Sequence, residues 1–102
     1  MPGTDVDQVL KDLARAAKRL KRARKKLKEA ENKYREANEK AWGLVGVALE
    51  SPNPQNTAAA KRAIGSQDTS RGEIEKWQKE VFEAEQELSE ALAAFVLLLW
   101  GV

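Results

Sequence analysis

Apolar side chains recur through the first half of the chain at Val6, Leu10, Leu13, Ala17, Leu20, Ala23, Leu27, Ala30, Tyr34, Ala37, Ala41, Leu44 and Ala48. The steps alternate between four and three residues, with one repeated three at Ala17–Leu20–Ala23. A sustained average of about 3.5 residues is the period of a coiled-coil seam, and a repeated three is a stammer that overwinds it locally. The pattern therefore predicts one long amphipathic helix over about residues 5–50. Thr4 and Asp7 resemble a capping box at its start, with Asp5 and Asp7 placed to favour the positive end of the helix dipole. Its end is set by Ser51, because a residue before proline avoids helical angles. The alanines in the seam predict close helix approach with modest burial per layer. Gly43 and Gly46 lie inside the helix and weaken it, allowing a kink or the close approach of another backbone.

A second seam runs through Ile74, Trp77, Val81, Ala84, Leu88, Ala91, Phe95, Leu98 and Val102, again in strict threes and fours. Ser70-Arg71-Gly72-Glu73 reads as the capping box that opens this helix, over about residues 71–100. Between the two helices, residues 51–56 read as a turn. Thr57 to Ile64 reads as a short helix ended by Gly65, and Ser66 to Thr69 as a loop. A helix-turn-helix centred on Gly65 fails on spacing, since the gap from Gly65 to Ile74 is too long by about three residues. The expected fold is all-α: a single domain over 1–102 forming a long antiparallel helical hairpin. A short helix sits in its connection, and the hairpin is expected to assemble into an oligomeric helical bundle.

That hairpin has unequal arms. With a connection at about 51–70, Leu99 and Trp100 fall beside Leu20 and Arg22, and everything before them overhangs. The overhang still carries Val6, Leu10, Leu13 and Ala17, an apolar stripe that needs a partner because an isolated helix is marginal in water. The run Phe95-Val96-Leu97-Leu98-Leu99-Trp100 is apolar all round, and one neighbouring helix cannot cover it. The uncharged stretch Ala91–Val102 rises only about 18 Å as a helix, too short for the roughly 30 Å of bilayer hydrocarbon.

Composition narrows the chemistry. The chain has no cysteine and no histidine, which removes disulfides, thiol nucleophiles, imidazole bases and the commonest zinc ligands. The formal net charge of +2 conceals an asymmetry. Residues 11–28 carry ten basic side chains against Asp12, whereas residues 73–90 carry seven glutamates against Lys76 and Lys79. Lys11, Arg15, Lys18, Arg22, Lys25 and Lys26 form a ridge opposite the seam, suited to phosphate contact. In the expected register the acidic stretch lies beside residues 30–40 and leaves this ridge without internal partners. No Asn, Gln or aromatic side chain interleaves with the ridge, so nucleic-acid binding there would be blind to sequence. Glu80, Glu83, Glu87 and Glu90 share one side of the second helix and read as a solvated acidic face.

These patterns point to a non-enzymatic interaction or oligomerisation protein without a cofactor, metal or small-molecule substrate. Its partner would be another copy or another helical protein. The expected interface residues are Leu10, Leu13, Leu20, Trp77, Phe95, Leu98, Leu99 and Trp100. The competing reading is an oligomeric nucleic-acid binder acting through the basic ridge, and a weaker one is attachment to a membrane surface. With no signal peptide and no spanning segment in view, the expected location is the cytoplasm.

Overall fold

A computed structural model describes residues 2–100, with side chains for 6–100. The Thr4 end of the capping box and the last seam position, Val102, lie outside the described side chains. The fold is two long helices packed against each other as a hairpin, α1 (Pro2–Glu50) and α2 (Pro54–Trp100). Among the described residues there is no third helix.

The turn is much tighter than the sequence pattern predicts. Ser51 N–H donates to the Val47 carbonyl at 2.9 Å and closes α1. Asn53 then caps α2: its Oδ1 accepts from Asn56 N–H at 2.8 Å, and its carbonyl accepts from Thr57 N–H at 3.0 Å. Pro54 follows at the first helical position, where its missing N–H costs nothing and its fixed φ suits the helix. Asn56 Nδ2 reaches back to the Ser51 carbonyl at 2.7 Å, tying the two helix ends together.

The expected short helix and loop at 57–69 are therefore the opening turns of α2, and the box at Ser70–Glu73 lies inside a helix rather than opening one. The seam explains why. On α2 the partly or fully buried positions run Asn56, Ala60, Ala63, Gln67, Ser70, Ile74 and Trp77, in unbroken fours and threes. The period is helical throughout, but its first five members are small or polar, so a search for large apolar side chains misses them.

The α1 seam is also more regular than expected. Ala16 is fully buried and Ala17 exposed, so the seam steps through Val9, Leu13, Ala16, Leu20, Ala23, Leu27 and Ala30 without a stammer. At Gly43 and Gly46 an added Cβ would meet nothing within 4 Å, so these glycines do not admit a neighbouring backbone.

The hairpin divides into two compact units. One takes Met1–Lys26 with Gln78–Val102; the other is Leu27–Trp77. In the first, the buried positions are Ala16, Leu20, Ala23 and Ala84. In the second they are Ala30, Ala41, Ala60 and Ala63, extended by Asn38, which accepts a hydrogen bond from Gln67 Nε2. Arg71 of this unit lies 6.0 Å from the centre of the Tyr34 ring. Both cores are built mainly from alanine, so each layer excludes little water and many large apolar side chains stay outside.

Candidate functional site

The surfaces that can act belong to the unit Met1–Lys26/Gln78–Val102, and they follow from where each side chain stands relative to the seam. Each residue advances about 100° around a helix, so a position just before a seam residue falls on one flank and a position just after it on the other. In an antiparallel pair, matching offsets on the two helices share a side. The ion pairs show this directly. Arg19, which precedes Leu20, meets Glu80, Glu83 and Glu87, which precede Val81, Ala84 and Leu88. On the other flank, Arg24 follows Ala23 and pairs at 3.6 Å with Glu85, which follows Ala84.

The flank before the seam is ionic. Arg19 Nε donates to Glu80 Oε1 at 2.8 Å, Nη2 approaches Glu83 Oε2 at 3.5 Å, and Nη1 donates to Glu87 Oε2. The hydrogen bond from Arg19 holds the Glu80 carboxyl below its ordinary value, helped by the charge of Arg22. The same bonds, to Glu80 and Glu87, push the Arg19 guanidinium up. Arg15 lines a shallow hollow with Asp12, Glu87 and Glu90.

This corrects two expectations. The glutamates are not a solvated face, because three of them grip Arg19. Nor is the basic ridge left without internal partners, since the acidic stretch lies beside residues 15–24 rather than 30–40. The cause is the short turn: with α2 starting at Pro54, residues 12–24 of α1 lie beside residues 80–94 of α2. Of the six ridge residues, Arg15, Arg22 and Lys26 occupy the ionic flank by period. Lys11, Lys18 and Lys25 stand on the outer side of α1, all exposed.

The flank after the seam is mainly apolar. From α1 it receives Leu10, Ala14, Ala17, Lys21 and Arg24, and from α2 Phe82, Glu85, Ser89, Leu92, Val96 and Leu99. Leu10, Phe82 and Leu99 are 45%, 59% and 62% exposed, and Leu92 and Val96 are also exposed. A shallow groove of about 390 Å³ runs past Phe82, Glu85, Gln86 and Ser89. Trp100, 85% exposed, stands at the end of α2.

The eight expected interface residues thus separate. Leu20 is buried and Leu13, Trp77, Phe95 and Leu98 are half-buried at seam positions, where the chain uses them itself. Leu10, Leu99 and Trp100 remain outside the seam. The expected interface set omitted Phe82, Leu92 and Val96, although Val96 lies in the apolar run at the end of α2, because that set was drawn mainly from a single stripe per helix. The interval 82, 89, 92, 96, 99 repeats the three-and-four rhythm, counted through the polar Glu85, and carried the signal. The unit Leu27–Trp77 has an apolar set of its own in Trp42, Leu49 and Ile64, all exposed.

Among the described residues no group of three or more acidic side chains is placed to hold a metal ion, and no helix is long and apolar enough to cross a membrane. Comparison with known proteins finds no family model, no curated protein and no solved structure that matches this chain.

Proposed function

We propose that this is a non-enzymatic protein whose work is helix-mediated protein association, carried out by the apolar flank of the unit Met1–Lys26/Gln78–Val102. One observation carries the reading: Leu10, Phe82, Leu92, Val96 and Leu99 form an ordered second stripe outside a seam that is already filled. Scattered single apolar side chains on a surface need no explanation, but a set that clusters at helical spacing, as Leu92, Val96 and Leu99 do, marks an interaction site. An alanine core that buries no large side chain fully gives a reason for such dependence, since a thin two-helix core gains much from another layer.

Phosphate binding by the ridge has less support, because the glutamate row lies beside Arg15 and Arg22 and weakens the basic field there. The test is a photo-crosslinking residue placed at Leu92 in cells that make the protein, with one at Lys76 as the control. The expected result is a protein adduct from position 92 and none from 76. Absence of any protein adduct at 92, or equal adducts from both positions, rejects the reading.

A further inference from the structure

We propose that the occupant of the apolar flank is an acidic amphipathic helix of another protein. One end of its apolar stripe packs on Leu92, Val96 and Leu99, and carboxylates at the other end meet Lys21 and Lys79 around Phe82. This deepens the association reading and rests on it.

The flank is not uniform along its length. Because Arg19 is centred on Glu80, Glu83 and Glu87, Lys21 lies level with Phe82 and Arg24 with Lys79. The Phe82 side chain, 59% exposed, therefore has Lys21 across from it on α1 and Lys79 one helical turn away on α2. Arg24 is matched by Glu85 at 3.6 Å. Lys21 and Lys79 are exposed and form no ion pair among the described residues. On the other flank one arginine takes three glutamates, so uncompensated positive charge is kept on this side. The far end of the flank is Leu92, Val96 and Leu99, exposed side chains within Ala91–Trp100, a stretch without charge. Phe82 and Val96 stand about 21 Å apart along α2.

Covering the two ends sets two different demands. A partner that buries the Phe82 ring also takes water from the ammonium groups beside it, and a cation that loses water needs an opposite charge in its place. At Leu92, Val96 and Leu99 only apolar contact is called for. One straight helix along the flank meets both demands when its apolar residues recur in threes and fours and its carboxylates stand about four turns along from the uncharged end. A lipid surface is met best by an unbroken apolar strip with cations on its edges. Here Glu85 and Ser89 separate Phe82 from Leu92, and Lys21 stands within the flank itself. A nucleic acid would engage the lysines but gain nothing from Leu92, Val96 and Leu99.

The experiment uses the full-length chain in cells that make it, with the photo-crosslinking residue at Leu92 or, separately, at Phe82. Each is made in the wild-type background and with Lys21→Glu and Lys79→Glu together. The expected result is a protein adduct of one mass from both positions, with the link from 82 mapping to a partner segment that has two or more Asp or Glu within a turn of it. The yield from 92 should fall about fivefold or more in the Glu background and be kept with Lys21→Arg and Lys79→Arg. If circular dichroism shows that the double reversal loses helix, Lys21→Gln with Lys79→Gln makes the same comparison against a fall of about twofold or more. An adduct from 92 that resists these changes overturns the proposal and leaves the association reading standing. So does a link from 82 to a segment without acids, no adduct from 82, or an adduct of twice the chain's mass. No protein adduct from 92 overturns both, whether the purified chain then floats with phosphatidylserine vesicles or binds duplex DNA.

Discussion

Alanine at Gly65 and Gly72 separates the tight hairpin from the looser one that the sequence pattern suggests, because the two disagree on the sign of the effect. If Gly65 ended a short helix in a left-handed conformation, a Cβ there would be strained, and alanine would cost about 1 kcal/mol or more. In the structure neither glycine has a positive φ, both lie inside α2, and an added Cβ at either meets nothing within 4 Å. Nothing then opposes the intrinsic gain of alanine over glycine in a helix interior, about 0.8–1.0 kcal/mol each. The sites lie about 10 Å apart along the helix without a common partner, so the gains should add to roughly 2 kcal/mol. For a chain of this size each kcal/mol moves the melting temperature by about 4–8 °C. The assay is thermal and urea unfolding followed by circular dichroism, with all variants at one protein concentration, because self-association would otherwise shift the midpoint. Raised midpoints for Gly65→Ala, Gly72→Ala and the double variant are expected. A lowered midpoint for Gly65→Ala refutes a continuous α2, and no change at either site places both glycines outside a helix.

The clamp around Arg19 makes a pH prediction. The Glu80 carboxyl is held below its ordinary value of 4.5, so its contribution to stability is complete above that value and is lost as pH falls through the lower folded one. Melting temperature followed from neutral pH down through the carboxylate range should therefore drop more steeply in the wild type than in Arg19→Met; parallel curves would deny the clamp its role. Ala84 has no exposed surface, so Ala84→Leu should overpack the seam and cost about 1–3 kcal/mol in urea unfolding, and a stabilised variant would mean a looser helix approach. For association, the crosslink from position 92 against the Lys76 control gives the outcomes set out above.

The sequence by itself determined that the chain is all-helical, where α1 ends, and which side chains of α2 after Ile74 form its seam. Those conclusions rest on large apolar residues at a helical period and on Ser51-Pro52, local signals that need no partner to be read. It also exposed the charge asymmetry and the over-apolar end of α2. Where α2 begins was decided by tertiary structure. Asn56, Ala60, Ala63, Gln67 and Ser70 are too small or polar to advertise a seam, and Gly65 and Gly72 argue locally for breaks. They become helix because α1 supplies a surface that fits small side chains and an Asn38 that satisfies Gln67. Asn53-Pro54 was a readable start signal, a capping residue before a proline at the first helical position, hidden inside a run that also reads as a turn. The register follows from that start, and with it everything functional. Bringing the glutamates of α2 up to Arg19 makes one flank ionic and sets an acidic row beside Arg15 and Arg22, because opposite charges at matching offsets meet. The other flank keeps an apolar stripe, because among the described residues no further helix is left to cover it.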